Sequence, residues 1–238
     1  MYNTVAIARR GIEAYFVSPI AYVVAAAFLV IMSIFFAWYI SDPRGIVATM
    51  QYMFGPMTTL FLFTVPMLTM RLLAEEQRSG TIELLLTSPI RDWELVLGKY
   101  LASIGLIVVI LCLTLYYPIV MSLFGNPDIG PILSGYLGLF LFAAALASLG
   151  LLASSLTQNQ IVAVIIGLSL GLLFWMSESV ADFVGTPLAG IFSAISLRPY
   201  FPDFAMGIID TRNVLFYLSF VAVSLFLTVQ SVESRRWR

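Results

Sequence analysis

Five long runs of this chain contain no Asp, Glu, Lys, Arg or His, and they constrain its fold more than any other feature. These runs cover residues 14–41, 45–70, 100–127, 129–177 and 213–232. A helix needs about 20 apolar residues to cross the hydrocarbon core of a bilayer. Charged residues make up only 11% of the chain, whereas soluble globular domains carry about a quarter. The sequence therefore predicts an integral membrane protein.

The fourth run is long enough for two membrane spans. It contains a polar segment, residues 154–160, in which a tight hairpin fits. Dividing the run there gives six spans in one transmembrane domain covering residues 1–238. The predicted spans are about 19–41, 47–70, 100–124, 132–156, 160–177 and 214–232. The predicted fold class is all-α, a polytopic membrane protein with six transmembrane helices.

The distribution of Lys and Arg predicts the orientation, because loops on the cytoplasmic side of a membrane are enriched in these residues. Nine of the 12 lie in the two termini or in the loop 71–99, which six spans place on one side. We therefore expect a protein of the cytoplasmic (inner) membrane with both termini in the cytoplasm.

The segment before the first span, residues 2–17, has the pattern of an amphipathic helix lying in the inner interface. Val5, Ala8, Ile12 and Phe16 would form its apolar face, and Arg9, Arg10 and Glu13 its polar face. The alternative is a positively charged flank that only sets the topology.

Several function classes are disfavoured by what the sequence lacks. The predicted spans contain no ionisable group of the kind that proton-driven carriers and intramembrane enzymes commonly use. The chain has no histidine and a single cysteine, Cys112, so a His/Cys metal site is not expected. With a net charge of −1, nucleic-acid binding is not expected either. No phosphate-binding GxxxxGK[ST] motif is present, so energy for any active transport would have to come from a partner.

The stretch 71–99 concentrates nine charges in 29 residues. Breaks at Ser79-Gly80 and Ser88-Pro89 bound a short helix that is predicted from about Thr81 to Thr87. This stretch would serve either as a docking surface for a cytoplasmic partner or as a solvated loop whose leucines rest on lipid headgroups.

The run GTIELLLTSP, residues 80–89, resembles the cytoplasmic loop after the second span of type-2 ABC transporter permeases. Two further segments, Tyr15 to Tyr22 and 204–237, together with this run resemble the permease associated with gliding motility. The likeness extends over essentially the whole chain.

The resemblance implies the permease subunit of an exporter that hydrolyses no ATP itself. Two such subunits, expected to be identical copies, would pair with two separate ATP-binding cassette ATPases. The ATPases would hold ATP and Mg, while this chain binds no cofactor. It also implies a possible companion with a large extracytoplasmic domain, and re-entrant outer helices within residues 178–213. The implied ATPase-coupling residues are Glu75, Glu76, Arg78, Gly80, Thr81, Glu83, Leu84, Leu85, Thr87 and Ser88, and the implied second contact comprises Ser155, Thr157 and Gln158.

The sequence leaves three questions open: the function, the role of three methionines and the role of one glycine motif. The chain could be a membrane scaffold that anchors a cytoplasmic ATPase or an assembly factor without moving a substrate. Met50, Met53 and Met57 share a helical face that suits adaptable packing more than copper binding. Gly167 and Gly171 form a GxxxG motif that suits either a dimer face or close packing within one subunit.

Overall fold

The computed structural model describes residues 2–41, 49–81, 90–181 and 186–236, and these residues form helices without any strand. Six helical segments are long and apolar enough to cross a membrane, which confirms the predicted all-α, polytopic fold class. The helices described are α1 (Tyr2–Val17), α2 (Pro19–Ile40), α3 (Gln51–Thr69), α4 (Arg71–Arg78), α5 (Asp92–Thr114), α6 (Tyr116–Phe124), α7 (Ile129–Leu156), α8 (Gln160–Ala181), α9 (Thr186–Ile195), α10 (Pro202–Ala205) and α11 (Thr211–Arg236).

α5 begins at Asp92, well before the uncharged run 100–127 from which its span was predicted. It has Asp92 and Glu94 in its first turn, where the helix dipole favours carboxylates. α7, in contrast, begins at the first residue of its uncharged run and is capped by Asp128, whose Oδ1 accepts a hydrogen bond from the Gly130 amide at 3.0 Å. Counting uncharged residues therefore locates the apolar part of α5 and misses its polar first turns.

α7 is the central helix of the bundle and packs against α3, α5, α8 and α11. Of its most apolar 18 residues 83% are buried, compared with 22% in α2 and 17% in α11. Glycine permits this close packing: a Cβ atom on Gly150 would lie 1.9 Å from Thr69 Oγ1 of α3. The core is therefore built around α7, while α2 and α11 leave most of their surface to lipid or to another subunit.

The GxxxG motif of α8 packs within the chain. A Cβ atom on Gly167 would lie 3.4 Å from the Cβ of Pro66, and one on Gly171 would lie 3.1 Å from Leu62 Cδ1. Both contacts are made with α3, so these glycines let α8 approach α3 closely. Of the two alternatives for this motif, the structure favours packing within one subunit.

The three methionines at the start of α3 are also accounted for by packing. Met50, Met53 and Met57 are each at most 1% exposed and belong to the main hydrophobic core. In the part of the chain that the structure describes, no group of three or more His, Cys, Asp or Glu side chains could hold a metal ion. The methionine face thus fills the core beside aromatic rings such as Phe54.

α1 forms over the predicted residues, and it packs on α5 with only part of its predicted apolar face. Val5 and Phe16 are 65% and 49% exposed, whereas Thr4 and Ala8 are buried. Ile12 of that face lies against Gly105 of α5, where a Cβ atom would be 3.0 Å from its Cδ1. The contact also depends on small residues, because a Cβ atom on Gly11 would lie only 2.6 Å from that of Ala102 in α5. The pattern of large apolar residues did not reveal the part played by Gly11.

α1 runs parallel to the first turns of α5. Asn3 bonds to Glu94, 91 positions further along the chain, and Ile7 and Gly11 meet Gly98 and Ala102 at the same offset. A constant offset means that the two helices lie side by side in the same direction.

The segment between the last two long helices folds back onto the bundle. Leu197 donates its amide hydrogen to Phe174 O at 3.0 Å, and Tyr217 donates to Leu197 O at 2.8 Å. Ser134 of α7 donates to Phe204 O at 2.7 Å, which fastens α10. Pro202 begins α10, since proline fits a first helical turn.

Candidate functional site

The end of the bundle that carries α4 contains a network of buried hydrogen bonds, which we call the α4 platform. Its centre is the break between α3 and α4 at Met70. Ser154 of α7 bridges this break, because its Oγ accepts from the amides of Leu73 and Ala74 at 3.0 and 2.9 Å. The same hydroxyl donates to Met70 O at 2.9 Å. One fully buried side chain thus bonds to three backbone groups around the break.

A second set of contacts connects α4 to the hairpin between α7 and α8. Gln77 is buried, and its Nε2 donates to Ser155 O at 2.9 Å. The Ser155 and Ser231 hydroxyls are 3.0 Å apart, which joins the hairpin to α11. α4 is therefore tied to both the central helix and the last helix.

Arg71 connects α4 to two further helices. Its Nε donates to Gln160 Oε1 at 3.3 Å, and its Nη1 donates to Ser18 Oγ at 3.2 Å. Next to it, Tyr15 donates to Leu68 O at 2.8 Å. Burial raises the pKa of the Tyr15 hydroxyl above its usual range, so this group stays a neutral donor.

An ion pair between Lys99 and Glu76 fixes α4 against α5. The two side chains are only 15% and 22% exposed, so solvent screens this pair less than a surface pair. Displacing α4 would therefore disturb α5 as well as α7, α8 and α11.

Four of the predicted ATPase-coupling residues form an exposed rim on the platform: Glu75, Arg78, Gly80 and Thr81. Gly80 has a φ of +71°, a backbone conformation that glycine adopts at no steric cost. It follows the last turn of α4, at the position where the chain leaves this helix. Glu76, in contrast, is engaged by Lys99. The remaining predicted coupling residues lie outside the described part of the chain: Glu83, Leu84, Leu85, Thr87 and Ser88.

The residues of the predicted second contact lie at different depths in the same region. Gln158 is exposed and Thr157 is half-buried, in a loop closed by a bond from the Asn159 amide to Thr157 Oγ1. Ser155 is fully buried and bonded within the chain, so its side chain supports the hairpin from beneath. The structure thus brings the two predicted contacts together, with Gln77 bridging them.

Sequence reasoning did not identify the residues that hold the platform together. Ser154 was noted only as part of a polar hairpin, and its backbone partners lie about 80 positions away. The signal that could have identified it is a small polar side chain at the end of a strongly apolar helix, where a buried hydroxyl needs partners. The other unrecognised residues are Tyr15, Ser18, Arg71, Gln77, Lys99, Gln160 and Ser231.

Comparison with protein families shows to which family this chain belongs. The model of the ABC-2 family transporter protein matches residues 41–230, which is most of the chain. The chain belongs to this family. As an ABC-2 protein it is a transmembrane permease component of an ABC transporter, and it does not itself hydrolyse ATP. Membership implies an ABC ATPase as a partner. Comparison with curated proteins finds no match.

Proposed function

We propose that this ABC-2 permease is half of the membrane pathway of an exporter in the cytoplasmic membrane, with both termini and the α4 platform in the cytoplasm. Two permease chains would pair with two separate ATPase subunits, each docked on one platform. The proposal is supported most by the construction of the platform. Its exposed rim, from Arg78 to Thr81, continues from a helix bonded to α7, the hairpin and α5.

This construction suits the transmission of force. A movement applied at an isolated loop would be absorbed by the loop itself. A movement applied next to α4 would instead reach α7 through Ser154 and α8 through Arg71. Buried hydrogen bonds and an ion pair resist such displacement, because breaking them leaves unpaired polar groups.

The uncovered surfaces of α2, α8 and α11 support a paired arrangement. Only 22%, 22% and 17% of their apolar windows are buried within one chain. One chain of six spans cannot enclose a pathway on two sides and also bury these helices, whereas two copies related by a two-fold axis would cover part of them. We therefore propose a homodimer of permease chains.

The described spans are apolar and uncharged at their centres. Such walls suit a lipid-like, hydrophobic or extended peptide cargo better than a small ion. The resemblance to the gliding-motility permease supports a companion with a large extracytoplasmic domain. The hydrophobic cargo and this companion are both part of the proposal.

The first test changes Gly80, where a side chain meets no neighbouring atom within 4 Å. Replacing it with Val penalises the positive φ and misdirects the following segment without disturbing the bundle. We expect Gly80→Val to insert normally and to lose ATPase binding or stimulated ATP turnover by tenfold or more.

Asp128→Asn is the matched control for this change, since it lies at the opposite end and Asn caps a helix as well as Asp does. Normal coupling in Gly80→Val would contradict the proposed role of this segment.

A non-transporting scaffold would also bind an ATPase at the platform. The two functions differ in whether a cargo changes ATP turnover in the reconstituted complex. Stimulation of turnover by hydrophobic or lipid-like compounds would support the exporter. Turnover that responds to no compound, while the ATPase stays bound, would support the scaffold.

A further inference from the structure

A cleft of about 430 Å³ opens between α1 on one side and the α3–α4 junction on the other, with the start of α5 behind it. Ile20, Ala21 and Met67, at the ends of the membrane helices, form an apolar group in the lining, which we call the apolar end. Arg10, Glu75 and Lys99, which lie outside the uncharged runs, form a charged group, which we call the charged end. The lining therefore changes from apolar to charged as the chain leaves the spans.

Two arginines at the charged end retain free donors. Arg10 is exposed, and no hydrogen bond or ion pair engages its guanidinium within the described residues. Arg71 uses Nε and one hydrogen of Nη1 for Gln160 and Ser18, which leaves three of its five donors. The cleft lining carries one more positive than negative charge, because Arg10, Arg71 and Lys99 face Glu75 and Glu76.

A carboxylate in the same cleft also retains a free acceptor. Glu76 Oε1 is bonded to Lys99, but Oε2 is buried and has no hydrogen-bond partner among the described residues. A buried acceptor without a partner costs about 1–3 kcal/mol. A ligand that brings a hydroxyl or ammonium donor to this position would remove that cost.

We propose that this cleft binds the headgroup of an anionic phospholipid from the adjacent leaflet. Arg10 and Arg71 would bind the phosphate, a headgroup hydroxyl would donate to Glu76 Oε2, and an acyl chain would lie along Ile20 and Met67. Phosphatidylglycerol is the simplest lipid with this chemistry. Phosphatidylcholine has the same phosphate but neither a net charge nor a donor. This site goes beyond the proposed function and does not depend on it.

The test is native mass spectrometry of the purified chain titrated with each lipid. We expect phosphatidylglycerol to bind most tightly and phosphatidylcholine most weakly, with phosphatidylethanolamine, which has a donor but no net charge, between them. Equal binding of all three would overturn the proposal. Glycerol 1-phosphate should not displace the lipid, because it cannot occupy the apolar end. Displacement would indicate a site for free phosphate and would also overturn the proposal of a lipid site.

Two variants localise the binding. Arg10→Gln should raise the apparent Kd for phosphatidylglycerol about fivefold, the usual effect of one basic residue near an anionic headgroup. Arg9→Gln is the matched control, because Arg9 is its neighbour, is 82% exposed, pairs with Glu13 and does not line the cleft. Ala14→Trp should fill the cleft without changing its charge and reduce binding similarly. Equal effects of Arg10→Gln and Arg9→Gln, or undiminished binding by Ala14→Trp, would contradict the assignment.

Discussion

Ser154 illustrates how much one small side chain contributes in a membrane protein. Its hydroxyl satisfies two amides and a carbonyl at the α3–α4 break. In an apolar surrounding no water replaces these bonds, so each group left unpaired costs about 1–3 kcal/mol. The same hydroxyl bonds α7 to the start of α4, the helix that carries the platform rim.

We predict that Ser154→Ala lowers the thermal midpoint of the purified protein by about 5 °C or more, since two buried amides lose their acceptor. Ser148→Ala is the matched control, because Ser148 is equally buried in the same helix but bonds only to Ala145 O. Equal midpoints in the two variants would show that Ser154 does not stabilise the break.

Gly150 supports a second prediction. Its missing side chain allows α7 to touch Thr69, so Gly150→Ala forces one helix to move. We expect this change to destabilise the fold by about 1–3 kcal/mol, as overpacking commonly does. Gly190 lies inside α9, where an added Cβ atom meets no atom within 4 Å, so Gly190→Ala should be neutral or stabilising by up to about 1 kcal/mol. Folded yield and thermal midpoint measure both effects. If Gly150→Ala is tolerated as well as Gly190→Ala, the tight contact is ruled out.

The single residues that matter most were the hardest to predict from the sequence. Ser154 and Gln77 act through partners about 80 positions away, and no local pattern carries that information. Hydrophobic length, in contrast, is a local property, so the six long helices could be predicted from runs of uncharged residues.

Among the helices, α1 and α4 show the two ways in which sequence pattern falls short. α1 was predicted at the correct residues, but its close approach to α5 also depends on Gly11 against Ala102, and small residues carry little hydrophobic signal. α4 is a polar helix of eight residues, and its position depends on bonds to four other helices. The described residues of the predicted coupling contact and of the second contact lie on one platform, which only the fold shows, because the two segments are about 80 positions apart in the chain.

The Glu76–Lys99 pair tests whether α4 and α5 act together. We expect Lys99→Glu to separate α4 from α5 by like-charge repulsion in a half-buried position and to reduce stimulated ATP turnover of the complex by tenfold or more. The double variant Glu76→Lys with Lys99→Glu exchanges the two charges and should restore a substantial part of the stimulated ATP turnover.

Arg91→Glu serves as the control, because Arg91 is exposed at the start of α5 and does not contact Glu76. A double exchange as impaired as the single reversal would mean that the pair has no coupling role.

At the level of the whole molecule, the chain is a bundle organised around α7, with partners expected at two surfaces. The sides of α2, α8 and α11 are the surfaces left for lipid and for a second copy. The α4 end is polar, hydrogen-bonded and exposed at its rim, which suits an ATPase. The fold class followed from composition and run length, while the family match over residues 41–230 assigns the bundle to ABC transport.

Site-specific photocrosslinking in the purified complex with its ATPase tests the central claim most directly. A photoreactive residue at Thr81, on the platform rim, should form a covalent adduct with the ATP-binding cassette subunit. The same residue at Arg212, exposed at the start of α11 and at the opposite end of the bundle, should form none. An intact complex that crosslinks from Arg212, or that yields no ATPase adduct from Thr81, would contradict coupling through the α4 platform.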